Sequence, residues 1–175
     1  MWGIEKESVA REAFLTLLIE EGNFPNFQYS DYGFVISPEY PFLGASPDGV
    51  IVCGNDKFVI EIKCPYSHRY ETVQQATMID SNFPLCKDEL NGELVVKKNH
   101  PYYFQMQLQM FVVRAKAAFL VIYTLKDIFK ILVPFSSSFM EHNIPLARLF
   151  WEHCILPELF SGYFTNKKKK RFGID

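Results

Sequence analysis

The stretch Leu43-Gly44-Ala45-Ser46-Pro47-Asp48-Gly49-Val50-Ile51-Val52, followed after a short turn by Phe58-Val59-Ile60-Glu61-Ile62-Lys63-Cys64-Pro65, decides how this chain is read. Side chains alternate across a β-strand, so Glu61 and Lys63 share one face, and Val59, Ile60, Ile62 and Cys64 supply apolar surroundings. Asp48 sits in a Ser-Pro-Asp-Gly turn that leads into the preceding strand of the hairpin. Two carboxylates and a lysine therefore converge. Mg²⁺ prefers oxygen ligands and keeps several waters, so two carboxylates and a main-chain carbonyl suffice when a phosphate fills another position. The chemistry implied is metal-assisted phosphodiester hydrolysis. A Glu-x-Lys pair on its own is commonly a solvated surface pair, and Pro-Asp-Gly is a common turn. Here the flanking β-branched residues place the strand inside a sheet, where a charged residue calls for a partner or a metal.

Outward from this hairpin, the pattern predicts a mixed α/β (α+β) chain. Val9, Ala10, Ala13, Phe14, Leu17 and Leu18 recur at helical spacing over residues 5–21, and Gly22 with Pro25 ends that helix. Strands are expected at 27–29, 33–37, 50–53 and 58–64 as an antiparallel meander, with Gly54-Asn55-Asp56 as the last turn. A short helix is expected at 71–80. Residues 81–99 are polar and turn-rich and read as a loop bordering the site. Residues 102–115 read as a helix despite the period-two alternation of Gln105, Gln107 and Gln109 with apolar residues, because strong helix formers dominate. Strands at 118–124 and 129–134 follow, then a helix from 137 to 163 interrupted near Pro145 and Pro157.

The chain has 175 residues, of which 49% are hydrophobic, enough for one substantial core. Residues 1–166 are read as a single domain and 167–175 as a basic tail. Cys53, Cys64, Cys86 and Cys154 lack metal-finger spacing and follow no signal peptide, so reduced thiols and an intracellular location are expected. No apolar run is long enough to cross a bilayer, so no membrane association is expected. The net charge of −2 argues against indiscriminate nucleic-acid binding. A local stripe of Lys63, His68, Arg69, Lys97, Lys98 and His100 could still grip DNA at the site.

Three blocks, in order, resemble the PD-(D/E)XK nuclease superfamily, in the branch of phage lambda exonuclease and the YqaJ-type viral recombinases. They are Ser46-Pro47-Asp48-Gly49 with Glu61-Ile62-Lys63-Cys64-Pro65, the opening Trp2-Gly3 through Glu7 to Ala10-Arg11, and Tyr102-Tyr103-Phe104-Gln105-Met106-Gln107. The resemblance implies a restriction-endonuclease-like core, a central mixed sheet flanked by helices. It implies Glu7, Asp48, Glu61, Lys63 and Gln105 as catalytic residues, with Asp48, Glu61 and the Ile62 carbonyl holding Mg²⁺, for which Mn²⁺ substitutes. Gln105 is expected to face the site, and Gln107 and Gln109 to be solvated. Arg69 and Ser46 are candidate DNA contacts, with a solvated charge as the other reading of Arg69.

The function implied is a metal-dependent deoxyribonuclease, an exonuclease on double-stranded DNA in recombination. A homo-oligomer, by resemblance a ring trimer, and a single-strand annealing protein are the implied partners. Relatives carry a helical segment ahead of the Trp-Gly block that holds the 5′ end, and this sequence begins at Met1-Trp2. That leaves polarity open, with a structure- or nick-directed endonuclease or an inactive DNA-binding module as alternatives. The run Lys167-Lys168-Lys169-Lys170-Arg171 reads as a solvated tail, with nuclear targeting as the other reading. His142 and His153 read as surface histidines. Phe150, Trp151, Phe160, Tyr163 and Phe164 read as core or a subunit interface.

Overall fold

A computed structural model describes residues 2–164 and 167. The chain runs α1 (Trp2–Glu21), β1 (Gln28–Ser30), β2 (Val35–Ile36), β3 (Gly44–Ala45), β4 (Gly49–Cys53) and β5 (Asp56–Lys63), then α2 (Val73–Ile79), β6 (Leu85–Lys87), β7 (Leu94–Val96) and α3 (Pro101–Val113). There follow β8 (Ala117–Tyr123), β9 (Ile128–Pro134), α4 (Ser137–Phe150), a π-helical turn (Trp151–Ile155) and α5 (Leu156–Ser161). Five strands form one sheet in the order β1-β4-β5-β8-β9. Among the described residues only the β5–β8 pairing is parallel, so the sheet is mixed, with β5 at its centre. The crossover from β5 to β8 carries α2, the β6–β7 hairpin and α3.

Helices cover both faces. Ala10, Phe14 and Leu18, one helical turn apart on α1, pack on Ile51, Phe58, Ile60, Ile62, Phe119 and Val121. On the other face Val50, Val59, Leu120 and Ile122 meet Val73 and Ala76 of α2 and Tyr103, Met106 and Met110 of α3. The period-two alternation of β5 therefore sends Ile60 and Ile62 toward α1, and Val59, Glu61 and Lys63 toward α3. Burial on both faces explains why β5 and β8 read as continuous apolar runs rather than alternating ones.

The expected meander needs correction. Residues 35–36 do not join the main sheet; they pair with Gly44–Ala45 in a separate two-stranded ribbon. The close approach of that ribbon is set by Gly44, where a Cβ would fall 2.3 Å from the Phe34 ring. Residues 81–99 are not wholly irregular, since β6 and β7 pair antiparallel with Leu85 opposite Val96. At the C-terminus, α4 continues through Pro145, and the irregularity falls at residues 151–155, just ahead of Pro157. Pro157 cannot donate a backbone bond, and the Leu156 N–H reaches back five residues to the Trp151 carbonyl, as a π turn requires. All four cysteines are unbridged. Among the described residues no helix is long and apolar enough to cross a membrane. Apart from Lys167, the basic tail lies outside the described residues.

Candidate active site

The Asp48 turn is folded onto β5 by two hydrogen bonds: its N–H donates to the Ile60 carbonyl (3.2 Å), and its Oδ2 accepts from the Ile62 N–H (2.7 Å). Gly49 makes this approach feasible, because a Cβ there would lie 2.5 Å from the Tyr29 ring. The Tyr29 hydroxyl bonds the Asp31 carboxylate and lies 3.4 Å from the Asp48 carbonyl. Burial and the Asp31 bond push the Tyr29 hydroxyl up to about 12.

Glu61 is completely buried. Its Oε1 is paired with the Lys63 ammonium but takes no hydrogen bond of acceptable direction, while Oε2 accepts from Gln109 Nε2 at 2.6 Å. Asp48 is pushed up to about 6, first by burial and then by the Glu61 carboxylate, with Glu7 adding to the same effect. Asp48 thus feels two neighbouring carboxylates. Burial works to lower the Lys63 ammonium, but Glu61, Tyr102 and Asp48 together outweigh it and hold it above its ordinary value. The Nζ lies 4.5 Å from the Tyr102 ring centroid, a cation–π contact.

Lys63 and Tyr102 border an open cleft of about 310 Å³, lined also by Gly3, Glu7, Ile62, Cys64 and Pro65. Glu7 stands on its wall and is tied to Arg11 at 2.9 Å. Arg11 also lies 3.5 Å from Asp31, so a polar chain runs from Glu7 through Arg11, Asp31 and Tyr29 to the Asp48 turn. Among the described residues no three His, Cys, Asp or Glu side chains close into a metal cluster. Asp48 and Glu61 nevertheless form a donor set suited to a hard cation. They are two carboxylates in mutual repulsion, one with a buried oxygen lacking a directed hydrogen bond, beside the main chain of Ile62.

The glutamines require a correction. Gln107 and Gln109, expected in solvent, are 0% and 1% exposed. Gln109 donates to Glu61 and, at 3.3 Å, to the Ser46 carbonyl, linking α3 to both acidic segments. Gln107 donates to the Pro134 carbonyl and accepts from the Ser136 N–H, fixing the start of α4. Gln105 is half-buried one turn ahead of Gln109, on the face that also carries Tyr102. The Tyr102, Gln105, Gln109 spacing was the available signal, since three polar or aromatic residues on one helical stripe point to a polar neighbour.

Ser46 is exposed, and its carbonyl is already taken by Gln109. Arg69 is half-buried, its Nη1 donating to the Tyr66 carbonyl at 2.7 Å. Of the expected basic stripe, several members have internal duties. His68 is clamped between Glu71 (2.6 Å) and Asp80 (3.0 Å), Lys97 donates to the Ser81 carbonyl (2.7 Å), and His100 caps α3. Burial lowers His100, whereas for His68 the two carboxylates outweigh burial and raise it.

The YqaJ-like viral recombinase domain matches residues 1–116. No curated protein sequence matches the chain significantly. Among solved structures, the alkaline exonuclease LHK-Exo from Laribacter hongkongensis is similar, with a TM-score of 0.62 and 23% identity over 96% of this chain and 73% of that one. Its complex with dAMP gives 0.63 and 23%, covering 96% and 72%. At this identity the likeness is one of fold.

Proposed function

We propose that this chain, which belongs to the YqaJ-like viral recombinase family, hydrolyses DNA phosphodiester bonds in a divalent-metal-dependent reaction, as an exonuclease on double-stranded DNA. The family and the alkaline-exonuclease fold together support a nuclease. The observation that carries the metal-dependent reading is the pairing of the completely buried Glu61 with an Asp48 raised to about 6, beside Lys63. Mutually repelling carboxylates at low accessibility are costly without a cation. Asp48, Glu61 and the Ile62 carbonyl would hold Mg²⁺ or Mn²⁺, and Glu7 would add charge from the cleft wall. A bound divalent cation supplies Lewis acidity toward the phosphate and lowers the pKa of its water.

The chain's own groups do the rest. Lys63, held above its ordinary value, stays an ammonium and is therefore an electrostatic stabiliser and water-orienting donor, not a base. Tyr102 and Glu61 fix its direction. Gln109 fixes Glu61, and Gln105, one turn away on the same helical stripe, would face the cleft. Arg69 would meet a phosphate. The exposed apolar residues Leu146, Leu149, Phe150, Leu159 and Phe160 along the C-terminal helices support a homo-oligomer. An annealing protein is the partner that a recombination exonuclease calls for.

Linear and covalently closed duplex, each incubated with Mg²⁺, Mn²⁺ or EDTA, test this directly. Metal-dependent loss of linear DNA is expected, with circles spared. Circles nicked as fast as linear DNA is degraded would replace the exonuclease by an endonuclease. Full activity of Glu61→Ala would remove the metal-dependent reading altogether.

A further inference from the structure

Beside the cleft lies a row of cations and aromatic rings of which the proposed reaction uses only Arg69. The Lys6 ammonium is 5.3 Å from the Trp2 ring, and Trp2 meets Tyr66 edge-on at 6.1 Å. The Arg69 guanidinium is 3.9 Å from the Tyr66 centroid and 4.6 Å from that of Tyr70. Tyr66 and Tyr70 are 61% and 64% exposed, too much for rings whose purpose is to pack a core. The row is continuous with the cleft, since Gly3 and Pro65 line it and are the chain neighbours of Trp2 and Tyr66.

The loop that carries these tyrosines is rigidly built. His68 is clamped by Glu71 and Asp80 and set edge-on against Phe83 at 5.4 Å. The Arg69 carbonyl accepts from the Leu125 N–H (2.9 Å), and its side chain is anchored to the Tyr66 carbonyl. A capping box at Thr72 and Gln75, with the Val73 N–H bonded to Asp127, closes the segment. Neither phenol hydroxyl takes part in these hydrogen bonds. Exposed aromatics on a preorganised loop, interleaved with cations and beside a cleft suited to phosphate chemistry, form a stacking surface whose ordering cost is already met.

We propose that Tyr66 and Tyr70, with Arg69 between them and Trp2 and Lys6 extending the row, form a platform that stacks unpaired bases of a single-stranded DNA segment next to the cleft. The rings present faces to bases, and the cations lie within reach of the phosphates that join them. A paired duplex offers no free base faces except at its ends, so the platform selects the unpaired strand. This deepens the nuclease reading by naming the form of DNA held beside the site, and it rests on that reading for the identity of the ligand.

The test is binding in EDTA, where no metal-dependent hydrolysis occurs, using a labelled oligothymidylate of about twelve nucleotides and a closed-circular duplex as competitor. Tyr66→Ala and Tyr70→Ala should each weaken oligothymidylate binding about ten-fold, with Tyr66→Phe and Tyr70→Phe within about two-fold of the parent because the ring face remains. The duplex should compete poorly throughout. Unchanged oligothymidylate affinity in Tyr70→Ala, which removes a ring outside the Trp2 contact, would overturn the platform. Equal loss of single-stranded and duplex binding in both alanine variants would also overturn it, since that outcome describes a general phosphate surface. Parallel hydrolysis assays of the parent protein separate the two readings. Oligothymidylate binding without any metal-dependent cleavage leaves the platform and removes the nuclease, whereas cleavage with tyrosine-independent binding does the reverse.

Discussion

Asp48→Asn should make the metal-free protein more stable at neutral and alkaline pH. Asp48 is raised from its ordinary 3.8 to about 6 by burial and by Glu61. A carboxyl group whose pKa is higher in the folded than in the unfolded state favours folding only while protonated. Its contribution is complete below the unfolded value and is lost as pH rises through the folded one. At about 1.36 kcal/mol per pH unit the rise corresponds to roughly 3 kcal/mol, which partial solvent access reduces to about 2 kcal/mol. Asparagine keeps an oxygen to accept from the Ile62 N–H but carries no charge, so it escapes this penalty. In EDTA at pH 8 the variant should melt about 4 to 8 °C above the parent, and the gap should close as pH falls toward 4. Saturating Mg²⁺ should reverse the order by stabilising only the parent, about 2.7 kcal/mol at one hundred times Kd. Thermal melts followed by circular dichroism across pH, with and without metal, decide the matter. Parallel melting curves for the two proteins from pH 4 to 8 would refute the picture of a repelling, metal-seeking carboxylate pair.

Gln109→Leu should lower activity about ten- to one-hundred-fold, as loss of a group that orients a metal ligand does. It should also cost about 1 to 3 kcal/mol of stability, because Glu61 Oε2 and the Ser46 carbonyl lose their donor. Steady-state rates and melts of Gln109→Leu beside Gln105→Leu show which glutamine governs Glu61. Because His68 is raised by Glu71 and Asp80, its clamp should be strongest when the ring is protonated and should weaken as pH rises through its folded pKa. Amide exchange of residues 66–72, corrected for the intrinsic pH dependence, should show protection falling over that range in the parent and a flat profile in His68→Ala. Lys63→Ala should lower the hydrolysis rate by orders of magnitude without abolishing Mg²⁺-induced stabilisation, because the carboxylates remain. Loss of both would assign Lys63 to metal retention instead.

Local periodicity made the heart of the site legible. The alternation of β5 puts Glu61 and Lys63 on one face whatever they pack against, and the Ser46-Pro47-Asp48-Gly49 turn delivers Asp48 to the neighbouring strand. The β-branched run around Glu61 likewise announced a strand inside a sheet rather than at its rim. Tertiary packing decided which glutamine of α3 meets Glu61, because the rotation of a helix is set by the side chains it wedges against the sheet. Met106 and Met110 are buried there, which turns Gln109 inward beside them. The chain of polar contacts from Glu7 to Tyr29, and the clamping of His68, join residues brought together only by the sheet order and the crossover. The β3 partner of residues 35–36 and the β6–β7 hairpin escaped detection for the same reason. Two- and three-residue strands carry too little alternation to stand out, and their stability comes from the body they rest on.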